Sequence, residues 1–131
     1  MRLLVDTNVF LEVLLAQERA KAAQQFLSKT DEHEFFISDF SLHSIGLVLF
    51  RHRQQDVFHR FLVDMFLRAG IGLVALSAEE MQAVVQIAQR FGLDFDDAYQ
   101  YALAERYALT IVSFDTDFDR TEKGRWTPAQ F

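Results

Sequence analysis

Three acidic stations carry the chemistry this chain could do: Asp6 near the start, the pair Asp96 and Asp97, and Asp115 with Asp117. Taken singly, each reads as a helix cap or a first-turn acid, because Asp accepts hydrogen bonds from free helix N–H groups and gains about 0.3–1 kcal/mol from the helix dipole. Brought together, they need another explanation. Two carboxylates about 4 Å apart repel by about 4 kcal/mol at an effective dielectric of 20. A hard divalent cation, Mg²⁺ or Mn²⁺, offsets that repulsion by taking carboxylate and water oxygens as ligands. Such a cage orients phosphate oxygens, generates a hydroxide-like nucleophile and stabilises the leaving oxygen of a phosphodiester.

The charge distribution fits this chemistry better than the charge total does. The 131 residues hold 19 acids and 13 bases, a net charge of −6 that on average argues against a nucleic-acid partner. Asp94–Glu122 alone holds eight of the acids against Arg106 and Arg120, and the rest of the chain is neutral. The absence of cysteine excludes disulfides, thiolate metal sites and a cysteine nucleophile, and suits a reducing cytoplasm. The longest stretch free of Asp, Glu, Lys and Arg, Phe40–Phe50, is far below the roughly 20 residues of a membrane-spanning helix. The start, Met1-Arg2-Leu3-Leu4-Val5-Asp6, reaches an acid too soon for a signal peptide. A single domain over residues 1–131 is expected from the length.

The elements that must position these acids alternate. Arg2–Val5 reads as a strand that stops at Asp6-Thr7-Asn8, a helix-capping group, before an apolar-periodic helix that breaks near Gln17. Phe35–Ser38 reads as a second strand, followed by a helix from about Ser41. Gln54–Arg68 places Phe58, Phe61, Leu62 and Met65 on one face of an amphipathic helix. Leu73–Leu76 is expected as a third strand, and Ser77 with Glu80 as a capping box opening the next helix. A helix from Asp94 to about Tyr107, with Asp94 and Asp97 as its own capping box, leads to a fourth strand, Leu109–Ser113. Trp126 and Pro128 lie in a tail that adds a short edge strand. This alternation predicts an α/β fold, a three-layer α/β/α sandwich around a mostly parallel sheet of four to five strands. Ligands of such sheets sit at the carboxyl ends of the strands, where strand order reverses. Asp6 ends the first strand and Asp115 follows the fourth, so neighbouring positions for those strands would turn both acids into one crevice.

Leu3-Leu4-Val5-Asp6-Thr7-Asn8-Val9, then Asp97-Ala98, then Ile111-Val112-Ser113-Phe114-Asp115-Thr116-Asp117-Phe118 resemble, in order and spacing, the motifs of PIN domains, the nuclease family that includes VapC-type toxins. The resemblance spans essentially the whole chain. It implies metal-dependent cleavage of RNA, a homodimer and, for the toxins, a small antitoxin partner. It also implies Asp6, Asp97 and Asp115 as catalytic metal ligands, Asp117 assisting, and Asn8 orienting the site. One position departs from the family pattern. The helix after the second strand usually carries a glutamate, and Ser44 stands in its place, with Asp39 and Asp96 as the acids that could compensate. A PIN domain that binds RNA or protein without cutting is therefore the alternative reading.

Other chemistries fit less well. Asp115-Thr116-Asp117-Phe118-Asp119 opens like a calcium loop, but Arg120 and Trp126 stand where that loop needs glycine and glutamate. Asp6-Thr7-Asn8 lacks the second motif aspartate of haloacid-dehalogenase phosphatases. No phosphate-binding glycine loop follows a strand, no Gly-x-Ser-x-Gly occurs, and His33, His43, His52 and His59 have no zinc-type spacing. Arg51, Arg53 and Arg60 give the middle helices a basic bias that could contact RNA phosphates beside the acidic crevice.

Overall fold

A computed structural model describes residues 1–131. Four parallel strands, β1 (Arg2–Val5), β2 (Glu34–Ser38), β3 (Gly72–Val74) and β4 (Thr110–Val112), form one sheet in the order β3-β2-β1-β4. The strands are short, and three of them read as apolar runs because both faces of a parallel sheet are covered. Six α-helices cover it: α1 (Thr7–Leu14), α2 (Ala20–Leu27), α3 (Asp39–Arg51), α4 (Gln55–Leu62), α5 (Gln82–Phe91) and α6 (Phe95–Tyr107).

Side-chain alternation along the strands divides the interior into two cores. Leu3 and Val5 of β1, Phe35 and Ile37 of β2 and Val112 of β4 pack with Val9, Phe10, Phe26, Ile45, Leu49 and Phe61 of α1–α4. Leu4 and Ile111 point the other way, onto Val84 and Ile87 of α5 and Ala98, Tyr101 and Leu103 of α6. The result is the three-layer α/β/α sandwich expected from the alternation. Close ring packing, such as Phe26 stacked on Phe35 at 4.9 Å and Phe10 edge-on to Phe61 at 5.4 Å, consumes much of the phenylalanine content. Gly72 faces Phe36 across the β2–β3 register, where an added Cβ would lie 2.7 Å from the ring.

Four local expectations change. The helix of Gln54–Arg68 is α4 followed by a π-helical turn, Val63–Arg68. The Ser77–Glu80 capping box forms, at 2.9 and 3.1 Å, but closes a separate turn before α5 begins at Gln82. Asp94 flanks α6 without a side-chain cap bond. The tail contributes a single bridge, in which Trp126 N donates to Ile111 O and Ser113 N donates to Trp126 O, in place of a fifth strand.

β1 and β4 are neighbours, with β2 on the other side of β1, so the strand order reverses at β1. Their carboxyl ends, Asp6 and Ser113, therefore lie side by side, and the Asp6 N–H extends the ladder to Val112 O at 3.0 Å.

Candidate metal centre

Asp6 is placed by two constraints at once. It follows the last buried residue of β1 and caps α1, its Oδ1 accepting from Thr7 N at 2.8 Å. Oδ1 also accepts from Gln100 Nε2 at 3.0 Å, while Oδ2 accepts from Ser113 Oγ at 2.7 Å and, more distantly, from Asn8 Nδ2 at 3.4 Å. All four lone-pair positions of the carboxylate are thus engaged. Burial pushes its pKa up, and the bonds from Gln100, Ser113 and Thr7 pull against that shift.

Asp97 lies in the first turn of α6, buried, and Asp115 and Asp117 lie on the short 3₁₀ turn after β4, Thr116–Arg120. Asp115 caps that turn by accepting from Asp117 N at 2.8 Å, and its own N–H donates to Ser113 Oγ at 2.9 Å. One carboxylate oxygen from each of Asp97, Asp115 and Asp117 lies within 4.8 Å of the others. Burial first, then the charges of Asp115, Asp96, Asp6 and Asp117, push the Asp97 carboxyl up to about 8. Of the eight acids between Asp94 and Glu122, Asp117, Asp119 and Glu122 are paired with Arg120, Arg125 and Arg90, whereas Asp96, Asp97 and Asp115 have no basic partner. The charge excess is concentrated where the three oxygens converge. An all-carboxylate set of hard oxygen donors, one of them with its pKa pushed up by burial and by neighbouring acids, fits a divalent cation such as Mg²⁺ or Mn²⁺.

The remaining sequence candidates separate clearly. Asn8 is bonded to the segment that follows β4: its Oδ1 accepts from Phe114 N at 3.2 Å and its Nδ2 donates to Ser113 Oγ at 3.2 Å. Asp96 is exposed, without hydrogen bond or ion pair, and acts on Asp97 through its charge. Asp39 is turned toward a different partner, accepting from Phe40 N at 2.8 Å and from the Tyr99 hydroxyl at 2.7 Å, and that hydroxyl accepts from Leu76 N at 3.0 Å. Ser44 is half-buried and makes no hydrogen bond. Arg51 and Arg53 sit at and just beyond the last turn of α3, whose first turn faces Asp6, so about 18 Å of helix separates them from the carboxylates. Arg60 lines a groove between α1, α2 and α4. Arg51 and Arg53 therefore lie about the length of α3 away from the acidic crevice.

Two residues central to the geometry are absent from the sequence candidates. Ser113 is fully buried and links Asp6, Asn8 and Asp115 through one hydroxyl. Gln100, 2% exposed, donates to both Asp6 and Ser41 Oγ, the latter at 2.8 Å. Ser41 in turn meets Thr7 Oγ1 at 2.7 Å and Ser38 Oγ at 3.0 Å. The α3 side of the site is thus a neutral set of hydroxyls and an amide. The only available signal for Gln100 is a long polar side chain inside the otherwise apolar run Ala98–Ala104.

The sequence matches the PIN domain family over residues 3–124. No curated protein matches it. Similar solved structures include a toxin–antitoxin complex from Klebsiella pneumoniae, at 22% identity and a TM-score of 0.73, covering 95% of this chain and 96% of that one. VapC20 of Mycobacterium tuberculosis, a sarcin-ricin-loop-cleaving toxin, has 17% identity and a TM-score of 0.73 over 89% and 92% of the two chains. A FitAcB structure from Neisseria gonorrhoeae has 20% identity and a TM-score of 0.72 over 98% and 99%. At these identities the likeness is one of fold.

Proposed function

The chain belongs to the PIN domain family, and on that premise we propose that it is a Mg²⁺- or Mn²⁺-dependent endoribonuclease, the toxin of a toxin–antitoxin pair. The observation that carries this reading is the convergence of Asp97, Asp115 and Asp117 within 4.8 Å beside Asp6. A cation there supplies Lewis acidity toward a phosphodiester and lowers the pKa of bound water. Asp97, Asp115 and Asp117 would hold it. Asp6, gripped by Thr7, Gln100, Ser113 and Asn8, would face it from the β1 side. Asp97 would give up its proton as the cation binds, and the ionised set would accept hydrogen bonds from the attacking water.

The partners proposed with this activity are RNA, a small antitoxin and a second copy of the chain, in the cytoplasm. No helix is long and apolar enough to cross a membrane. A groove of about 520 Å³ between α1, α2 and α4, lined by Phe10, Val13, Leu27, Phe61 and Met65 with Arg60 and Asp64, supports a protein partner with an apolar segment. Leu47, Phe50, Leu67 and Leu73, each more than half exposed, support contact with another chain. Arg51 and Arg53, free of ion pairs, could meet RNA only where it extends along α3, and Arg60, also free of one, only where it reaches the α1–α2–α4 groove.

A second reading, a PIN domain that binds without cutting, is favoured by one observation: Ser41 and Ser44 leave the α3 side of the site without charge. Purified protein incubated with structured RNAs in Mn²⁺ or EDTA, beside Asp115→Asn, separates the two. The nuclease reading expects cleavage in Mn²⁺ that EDTA and the substitution both abolish. Cleavage indifferent to both refutes it, and RNA or protein binding without cleavage favours the second reading.

A further inference from the structure

We propose that Gln100 is a positioning residue for Asp6, itself anchored on Ser41 and holding Asp6 Oδ1 so that Oδ2, beside Ser113, is the oxygen presented to the cation site. The inference rests on the metal-centre reading above and adds a residue to it. The orientation of the amide follows from chemistry: only its nitrogen can donate to an ionised carboxylate, and Nε2 lies 3.0 Å from Asp6 Oδ1 and 2.8 Å from Ser41 Oγ. That choice leaves Gln100 Oε1 buried with no partner, the only such side-chain atom in the protein. A buried orphan acceptor is unfavourable, and an apolar side chain of the same length would avoid it. The two bonds from Nε2 are what the amide adds.

Their effect on Asp6 is directional. Oδ1 is filled by Thr7 N and Gln100 Nε2 at 2.8 and 3.0 Å, whereas the weakest bond to the carboxylate, from Asn8 at 3.4 Å, is on Oδ2. Oδ2 can exchange that bond for a cation at least cost. Ser41, held by Thr7 Oγ1 and Ser38 Oγ, accepts the second bond from the same amide nitrogen and ties it to the first turn of α3. A neutral clamp thus occupies the side of the site where the family pattern would bring a carboxylate.

The test uses Gln100→Met, which keeps length and volume but donates nothing, with Mn²⁺ affinity read by calorimetry and folding checked by circular dichroism. Loss of an outer partner of a metal ligand weakens affinity by about 10–100-fold, and that range is expected. In an Asp6→Asn background the same substitution should have no further effect, because Gln100 acts through Asp6; additive losses would mark a merely structural role and overturn the proposal. If Gln100→Met does not fold, Ser41→Ala replaces it, with a smaller loss expected that likewise vanishes beside Asp6→Asn. Unchanged affinity in the folded variant overturns the role of Gln100 and leaves the metal centre intact. A wild-type protein that binds no Mn²⁺ overturns the metal-centre reading instead. The Asp6 carboxyl ¹³C resonance of metal-free protein then decides for Gln100: displaced by Gln100→Met it supports the clamp, unmoved it refutes it.

Discussion

The two sides of the candidate site solve the same problem, buried acidity, in opposite ways. On the β1–α3 side one carboxylate, Asp6, is surrounded by four donors whose hydrogen bonds oppose, without cancelling, the upward push of burial on its pKa. On the α6–β4 side Asp97 faces Asp115 and Asp117 with no basic side chain of its own, and its pKa rises to about 8. The first side has its hydrogen-bond positions filled within the folded chain. The second is an arrangement that folding alone disfavours and that positive charge would relieve. The contrast separates a carboxylate fixed by donors within the fold from carboxylates that converge on one another, a division that composition alone does not reveal.

The largest effect expected on this contrast comes from Asp97→Asn. Mn²⁺ affinity should fall by about 100-fold or more, beyond the range for outer partners, while thermal denaturation of the metal-free protein shows a higher melting temperature because an acid disfavoured by burial and by its neighbours' charges is removed. A lower melting temperature would show that Asp97 is stabilised by its neighbours. Next is pH. The folded carboxyl of Asp97 binds its proton more tightly than the unfolded one, from 3.8 to about 8, so metal-free stability should decline as pH rises through that window and level off above it. Mn²⁺ binding runs the other way. It should strengthen by roughly tenfold per pH unit below about 8, with about one proton released per ion, measurable by calorimetry in buffers of different ionisation enthalpy.

Ser44→Glu tests whether the neutral side can be made like the charged one. Placed one turn after Ser41, a carboxylate there should raise Mn²⁺ affinity by about tenfold, since affinity follows the ligand charge count; an unchanged titration would show that this position does not reach the site. The smallest effect on the metal is expected from Tyr99→Phe. It frees Asp39 and leaves Leu76 N without its acceptor, at a cost of about 1–3 kcal/mol in denaturant unfolding. Mn²⁺ affinity should not change, and a measurable loss would return Asp39 to the site.

The sequence makes the charged side legible and the anchored side nearly illegible, for a physical reason. Carboxylates at the ends of β1 and β4 and at the start of α6 coincide with element boundaries, which capping residues and hydrophobic periodicity mark. Strand alternation then requires that they meet once β1 and β4 are neighbours. Gln100 and Ser113 act from within buried runs, where periodicity assigns a position to the core and says nothing of what the side chain bonds. The same limit explains Asp94. Its spacing to Asp97 matches a capping box, but Asp97 is buried among the other acids, and tertiary placement overrides the local pattern. The π-helical turn after Leu62 likewise has no glycine or proline to announce it.

The single bridge at Trp126 has a consequence for assembly. A parallel sheet ends in two rows of unpaired backbone groups, and an open row invites another chain to continue it. Here one margin, β4, is closed by Trp126, whose N–H and carbonyl take Ile111 O and Ser113 N, with Arg125 adding a bond to Ser113 O at 3.0 Å. The opposite margin, β3, is only three residues long and begins at Gly72. With one border bridged and the other too brief to template a strand, neither margin invites copies of this molecule to merge their sheets into a continuous ribbon.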